Sequence, residues 1–324
     1  MPYFLITIDT EGDNLWRSDA VIHTENVHFL PPFQQLCESY GFKPTYLTDY
    51  RMGSNPAFVE FGRNALKAGA EIGMHLHAWD TPPFIGLTEN DSRFRPYLIE
   101  YPLDVMEQKI TTVTELLQDR FGTRMASHRA GRWSFDERYA RILVEKGYKV
   151  DCSVTPFISW RRHSGNPTGK GGSDYSDFPN NAYFVDLADI RRRGHSPLLE
   201  VPVTICAPLP GLARIALKNS EPLRWAHAAV QRIFPARWLR PNGQNGEDML
   251  GIVRDAAQRG SDYVEFMLHS SELMPGGSPT FPRAEDTEAL YSDLNVLFKV
   301  ASQHFQGATL QQYYDVCSAQ ERVN

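Results

Sequence analysis

The chain has 324 residues, and its 39 acidic residues outnumber the 33 basic ones to give a formal net charge of −6. An acidic balance argues against a nucleic-acid-binding protein, which usually carries a basic excess or a basic stripe. An apolar share of 42% with 22% charged residues is typical of a packed globular protein and excludes a mainly disordered one.

The cysteines and the first apolar run indicate the cellular compartment in which the protein folds. Cys37, Cys152, Cys206 and Cys317 show no Cys-x-x-Cys spacing, which favours thiols in a reducing compartment over a disulfide framework or a cysteine-based zinc site. The apolar run 3–8 is too short for a signal peptide and follows no basic segment. No run approaches the ~18 apolar residues of a membrane span. We therefore expect a cytoplasmic protein without a membrane span.

Short apolar runs alternate with amphipathic stretches along most of the chain. The apolar runs predict strands at 3–8, 44–48, 70–76, 124–128, 148–153, 199–204 and 263–269. The amphipathic stretches predict helices between them, clearest at 56–68, 102–121 and 134–146, the last with a capping-box pattern from Ser134 to Glu137. Such alternation predicts an α/β fold with a parallel sheet or barrel. Catalytic groups in these folds gather at the carboxyl ends of the strands.

Two segments break the alternation. Residues 157–197 are rich in turn formers. Their run Arg191–Arg193 is interpreted as a solvated loop face, with contact to an anionic group of the substrate as the alternative. Residues 207–247 carry five prolines around a helical piece near 212–234. Loops this long inside a compact domain are usually functional or mobile. We interpret both segments as insertions over the mouth of a single domain that spans residues 1–324.

Acidic and histidine side chains stand where predicted strands end. Asp9 and Glu11 follow the first strand, His75 and His77 end the third, and His269 ends the last. Each pair is spaced i, i+2, which in an extended strand points both side chains to one face. Taken singly, each pair fits a strand-ending turn or an exposed edge. Two carboxylates and two imidazoles converging from different strands indicate a zinc-type site with a general base beside it.

At these residues the chain resembles the polysaccharide deacetylase family, the NodB-like carbohydrate esterases of family 4 type, whose fold is a distorted (β/α) barrel. Thr7-Ile-Asp-Thr-Glu-Gly12 is similar to the family's first motif, Thr-Phe-Asp-Asp-Gly, and Glu71-Ile-Gly-Met-His75 matches the opening of the second. His128-Arg-Ala-Gly-Arg-Trp133 is similar to the third motif, and Leu268-His269 resembles the last. The resemblance is strongest to deacetylases and deformylases that trim sugars in surface-polysaccharide or lipid-linked sugar pathways.

The sequence departs from the family pattern at two places. The second motif of the family has two histidines four residues apart, but Trp79 occupies the second position here. Either His77 supplies the second imidazole or the site has one ligand fewer. Thr10 separates the two carboxylates of the first motif, which leaves open whether Asp9 or Glu11 is the general base.

The resemblance implies a role for each residue of the motifs. Asp9 would be the general base, Arg129 its ion-pair partner and His269 the general acid. The implied ligands of a divalent ion, zinc by default with cobalt or nickel also suitable, are Glu11, His75 and His77. The implied substrate-binding residues are Trp79, Arg132, Trp133 and Glu200.

The main functional hypothesis is a metal-dependent hydrolase that removes an acetyl or formyl group from an amino sugar linked to a nucleotide, a lipid or a polymer. A second hypothesis keeps the barrel and the metal but changes the substrate to a small non-sugar amide. A third is a catalytically silent carbohydrate-binding relative. The intact acidic pair, histidine pair and terminal histidine argue against silence, because a silent protein has no reason to keep all of them.

Overall fold

A computed structural model describes residues 1–13, 15, 21–162, 171–207 and 236–321. Its main feature is a curled sheet of ten strands with helices in the connections. The strands, numbered within this part of the chain, are β1 (Tyr3–Thr10), β2 (Pro44–Thr48), β3 (Glu71–Leu76), β4 (Ser127–Ala130), β5 (Val150–Asp151), β6 (Tyr183–Asp186), β7 (Asp189–Arg193), β8 (Leu199–Glu200), β9 (Ile205–Cys206), β10 (Arg237–Trp238), β11 (Tyr263–His269) and β12 (Gln306–Ala308). The helices are α1 (Leu30–Ser39), α2 (Tyr50–Ser54), α3 (Pro56–Lys67), α4 (Asp91–Phe94), α5 (Leu103–Phe121), α6 (Glu137–Glu145), α7 (Gly246–Arg259), α8 (Ala284–Ala301) and α9 (Leu310–Glu321).

Seven strands of the sheet form one continuous parallel series, and the short β12 is also parallel to its partner β1. The order of the seven is β11-β1-β2-β3-β4-β5-β8, and the antiparallel strands β6 and β7 continue the sheet beyond β8. The short β12 pairs with the first half of β1, on the edge where β2 pairs with the second half. Side chains of β1 to β4 are almost all buried, as expected for parallel strands covered on both faces. The carboxyl ends of the seven parallel strands therefore meet at one rim.

The sheet curls into a barrel that no strand ladder closes. Past the end of β8, the Thr204 amide donates to the Glu265 carbonyl at 3.4 Å, and the Glu265 amide donates to Thr204 Oγ1 at 2.8 Å. The Met267 amide donates to the Leu239 carbonyl at 3.3 Å. Single hydrogen bonds thus link the last parallel strand back to β11. This arrangement confirms the predicted α/β fold with a distorted barrel.

Most predicted elements lie where the sequence placed them. The strands predicted at 44–48 and 263–269 have those bounds, and α3 and α5 end within one residue of the prediction. The prediction of a capping box at Ser134 is wrong. The Asp136 side chain accepts the Tyr139 amide and begins α6, while the Ser134 hydroxyl donates to the Gly131 carbonyl at 3.1 Å.

The segment 157–197 is more regular than the sequence indicated. Residues 183–193 form the hairpin of β6 and β7, and β6 pairs with β8. Buried Tyr183 and Val185 fix the inner face of this hairpin, whereas Arg191–Arg193 are exposed on its outer strand. Residues 163–170 and 208–235, which include the predicted helical piece near 212–234, lie outside the described residues. The interpretation of both segments as insertions within one domain stays a prediction.

Across the described ranges, none of the helices combines the length and the apolar character needed to cross a membrane.

Candidate active site

The predicted site residues come together at the rim formed by the carboxyl ends of the strands. Asp9 lies in β1 directly opposite His269 at the end of β11, and Glu11 follows β1. His75 lies in β3, and His77 is the first residue after it. All five side chains are buried. Because each follows or ends a parallel strand, the fold itself brings them to one place.

Three of these side chains face one another with their ligand atoms. Glu11 Oε2 lies 2.8 Å from His77 Nε2 and 3.2 Å from His75 Nε2, and the two nitrogens are 3.1 Å apart. Ligand atoms that share one zinc ion at ~2.0–2.2 Å must lie roughly 3 Å from one another. The donor set and the spacing therefore fit a divalent cation held by Glu11, His75 and His77.

The neighbours of His75 and Glu11 orient them for this purpose. His75 Nδ1 lies 2.9 Å from the Arg129 carbonyl oxygen, which only accepts, so Nδ1 carries the proton and donates. In the neutral ring this leaves the Nε2 lone pair directed at the cluster, the usual orientation of a metal-bound histidine. The Glu11 amide donates to Ser270 Oγ at 3.1 Å, and the Asn26 amide group donates to the Glu11 carbonyl at 2.8 Å.

His77 contacts Glu11 and His75 through Nε2, and the other side of its ring is positioned by close packing. Its Nδ1 is buried, and no described residue hydrogen-bonds to it. Gly131 packs against the ring. A side-chain carbon at residue 131 would collide with the Leu76 carbonyl oxygen and come within 2.7 Å of His77 Nδ1. Only glycine therefore allows the turn after β4 to approach the ring this closely.

The electrostatics of the cluster favour a positive charge at its centre. Burial would raise the pKa of Glu11, but hydrogen bonds from His75 and His77 hold this pKa well below its ordinary value. Burial lowers the pKa of His77, and Glu11 offsets this only in part. Burial also acts to lower the pKa of His75, but the carboxylates of Asp9 and Glu11 outweigh it and raise that pKa. Either a proton or a metal cation at this position balances the negative charge of Asp9 and Glu11.

Asp9 forms a buried ion pair with Arg129. Arg129 Nη1 donates to Asp9 Oδ1 at 2.7 Å, and Nη2 donates to Thr7 Oγ1 at 2.8 Å and to Glu265 Oε1. Burial would raise the pKa of Asp9, but the charge of Arg129, followed by that of His75, lowers it. Asp9 is thus held ionised. Its second oxygen, Oδ2, lies 3.7 Å from His269 Nε2.

His269 stands between these acids and a second charged pair. Its Nε2 lies 3.9 Å from Glu11 Oε1, and its Nδ1 lies 3.0 Å from Arg240 Nη2 and 3.5 Å from Glu272 Oε2. A guanidinium only donates, so in this arrangement Nδ1 accepts and the proton is on Nε2, toward Asp9. Burial would raise the pKa of Glu272, but Arg240 and His269 lower it to about 2.

Three of the four predicted substrate-binding residues lie beside the site. The Trp79 ring is 4.6 Å from the His77 ring, and the Arg132 guanidinium stands 5.7 Å above the Trp79 ring. Trp133 is largely buried, stacks on Trp160 at 6.4 Å and lies 5.1 Å from the Arg129 guanidinium. Arg132 is exposed.

The fourth, Glu200, lies inside the barrel. Its side chain is completely buried, and its Oε1 accepts the Val154 amide at 3.0 Å. Burial and the neighbouring Asp151 carboxylate raise its pKa well above the ordinary value. With no exposed atom, Glu200 is placed to support β5 and β8 and not to touch a substrate at the rim.

Sequence reasoning missed three residues that contact the site, which are Glu265, Arg240 and Glu272. Glu265 carried a signal, because it is the one charged residue in the apolar strand β11 before His269 and shares the face of His269. Glu272 is three residues past His269. Arg240 carried no signal, since only the fold brings it to His269.

No protein-family model matches the chain, and no curated protein matches it. Solved structures do match. A provisionally named polysaccharide deacetylase from Mycobacterium smegmatis has a TM-score of 0.53 at 14% identity, over 98% of this chain and 91% of that one. A provisionally named glycoside hydrolase/deacetylase from Parabacteroides distasonis has a TM-score of 0.59 at 11% identity, over 98% and 71%. The chain has the polysaccharide deacetylase fold.

At these identities the likeness shows the fold alone. It confirms the architecture that the motif resemblance predicted. The roles of individual residues rest on the geometry described above.

Proposed function

We propose that this chain is a divalent-metal-dependent hydrolase that removes an acetyl or formyl group from an amino sugar. The observation that carries the proposal is the convergence of two buried arrangements at one rim of the sheet. One is the Glu11, His75 and His77 cluster, and the other is the Asp9–Arg129 ion pair that stands beside it. A set of metal ligands without a neighbouring base would suit a structural ion. A base without metal ligands would have no Lewis acid to polarise the acyl carbonyl.

The geometry supports Asp9 as the base and Glu11 as a ligand. Glu11 Oε2 contacts both imidazole Nε2 atoms, whereas Asp9 Oδ1 is held by Arg129 and Asp9 Oδ2 faces His269. A divalent ion bound at the cluster supplies Lewis acidity, which polarises the acyl carbonyl and makes water more nucleophilic near neutral pH. Asp9 Oδ2 removes one proton from the attacking water, and the water oxygen forms the new bond to the acyl carbon.

Breaking the carbon–nitrogen bond then requires a proton on the leaving nitrogen. His269 Nε2 lies 3.7 Å from Asp9 Oδ2, on the side of the ligand cluster. The doubly protonated ring donates its Nε2 proton to the sugar nitrogen, while Nδ1 keeps its own proton and directs it to Glu272 Oε2 at 3.5 Å instead of accepting from Arg240. The products are acetate or formate and a free amino sugar, and the proton on Asp9 returns to solvent or to His269.

The finer parts of the proposal follow from the motifs and the donor set. Two imidazoles and a carboxylate suit zinc best, and cobalt or nickel also suit them.

The Asp-x-Glu form of the first motif supports a role in surface-polysaccharide or glycolipid biosynthesis. The cysteine pattern supports a location in the cytoplasm. Aromatic rings at the rim, those of Trp79, Trp160 and Trp238, favour a sugar over a small non-sugar amide because sugar rings stack on such surfaces.

The experiment is a substrate panel that contains N-acetyl and N-formyl amino sugars together with small cyclic amides. Released acetate, formate and amine are quantified for the protein as purified, after chelation, and after zinc, cobalt or nickel is restored. We expect sugar deacylation that chelation abolishes and metal restores. Turnover of the cyclic amides alone would move the substrate to the non-sugar class. No turnover of any compound by metal-loaded protein would contradict the enzyme proposal.

A further inference from the structure

Arg132 presents an exposed cation at the rim that forms no ion pair with any described carboxylate. Its side chain is exposed, and its guanidinium lies 5.7 Å from the centres of both the Trp79 and Tyr97 rings. Burial raises the pKa of Glu100 and the charge of Arg132 offsets this in part, but the Glu100 oxygens are engaged by Arg95 at 3.4 Å and by the Tyr97 amide at 3.2 Å. The N–H groups of Arg132 therefore lack a described carboxylate at ion-pair distance.

Two features hold this cation in place. Two aromatic faces restrict the guanidinium, which is the geometry of a cation–π contact, and leave its N–H edge for a further partner. The backbone at this position has an unusual conformation, because Arg132 has φ 53° and Trp133 has φ 59°, both in the left-handed region. Non-glycine residues adopt this region only at an energetic cost, and such strain concentrates at functional sites.

The position of Arg132 relative to the cluster is defined by direct contacts. Gly131, the preceding residue, packs on the His77 ring, and Trp79 bridges His77 and Arg132 with ring contacts of 4.6 Å and 5.7 Å. The guanidinium therefore stands one aromatic ring away from the ligand cluster. A group bound there belongs to the same sugar as the acyl amide or to its first substituent.

From these contacts we propose that Arg132 binds an anionic group, a phosphate or a carboxylate, carried by the acylamino-sugar substrate close to its amide. Arginine suits either group because its planar N–H edge donates two parallel hydrogen bonds to two oxygens. This inference rests on the proposed function for the sugar, but the anion site can be tested without turnover.

The test compares binding of four probes to the full chain, with Asp9→Asn introduced to prevent turnover. The probes are N-acetylglucosamine, its 1-phosphate, its 6-carboxylate analogue and inorganic phosphate. Calorimetry gives the affinities in this background and after Arg132→Gln, Arg132→Lys or Arg254→Gln is added. Arg254 is an exposed arginine on α7 and serves as the matched charge control.

We expect one or both anionic sugars to bind on the order of 10–100-fold more tightly than the neutral sugar, the usual worth of a charge-assisted pair. Arg132→Gln should remove this preference, Arg132→Lys should restore part of it, and Arg254→Gln should leave it unchanged. The stronger of the two anionic probes identifies phosphate or carboxylate as the natural group.

Several results would overturn the inference. Equal binding of neutral and anionic sugars would leave the deacylase proposal standing and remove the anion site. An equal loss for all sugars in Arg132→Gln would make Arg132 a general structural residue. Arg132-dependent binding of phosphate without binding of any sugar would keep the anion site and contradict the sugar substrate. No binding of any probe would contradict both.

Discussion

Asp9 and Glu11 are two residues apart, yet their surroundings give them different chemistry. Arg129 engages Asp9 at 2.7 Å, and the two imidazoles engage Glu11 at 2.8 and 3.2 Å. The sequence left the two roles open because the spacing alone points both carboxylates to one face. The partners that separate them, on β3 and β4, are more than 60 residues away.

Asp9→Asn should reduce turnover by on the order of 10²–10⁴-fold while the metal content stays unchanged, because it removes the base and spares the ligands. Glu11→Gln should lose metal, since a neutral amide replaces the only carboxylate of the cluster. Parallel metal analysis and single-turnover assays on the two variants make the comparison. A loss of metal in Asp9→Asn, with metal retained in Glu11→Gln, would exchange the two roles.

His269→Ala should slow amide hydrolysis by on the order of 10²–10⁴-fold, because the leaving amine then lacks a positioned proton donor. The loss should be smaller for a nitrophenyl acetate, whose leaving group departs as an anion. Rates for both substrates are measured in wild type and variant at equal metal content. Equal losses on the two substrates would show that His269 acts on structure or binding and not as the acid.

At the scale of elements, β1, β4 and β11 are tied together by one buried network. Arg129 of β4 contacts Asp9 and Thr7 of β1 and Glu265 of β11. Burial raises the pKa of Glu265 to about 7, although Arg129 lowers it in part. One guanidinium charge is shared between two carboxylates, so Glu265 is held less firmly in its ionised form than Asp9.

The sign of the resulting pH dependence follows from this pKa. Glu265 binds its proton more tightly in the folded chain than in the unfolded chain, where the value is near 4.5. The protonated Glu265 side chain therefore adds to the free energy of unfolding. This contribution is complete below about pH 4.5 and is lost, by up to about 3 kcal/mol, as the pH rises to about 7. Denaturant unfolding from pH 5 to 8 should show a fall in wild type that Glu265→Gln removes.

Glu288→Gln, a substitution of an exposed glutamate on α8, is the control for this experiment and should retain the wild-type profile. A wild-type minus Glu265→Gln difference that stays flat across the range would mean that Arg129 keeps Glu265 ionised throughout.

The elements also show which parts of the fold the sequence could predict. Parallel strands are buried on both faces, so their apolar runs are conspicuous, and β2 and β11 were predicted to the residue. The strand β7 was read as a loop because its three arginines are charged, but an edge strand exposes such side chains without penalty. The three-residue β12 exists only through its pairing with β1.

Across the whole molecule, residues from 9 to 272 meet in one buried site because parallel strands bring their carboxyl ends to one rim. That rule allowed the sequence to predict that Asp9, Glu11, His75, His77 and His269 lie together. It could not locate Arg240 and Glu272, whose contact with His269 depends on the path of the chain after β10. Nor could it separate Glu200, inside the barrel, from residues at the rim.

The most direct measurement for the central claim is the metal content of protein purified without chelator. Elemental analysis of wild type should give one divalent ion per chain, and the double variant His75→Ala/His77→Ala should lose it while keeping the wild-type circular dichroism. Asp9→Asn should retain the ion. A wild-type chain without a stoichiometric divalent ion, or a double variant with undiminished metal, would contradict the assignment of Glu11, His75 and His77 as its ligands.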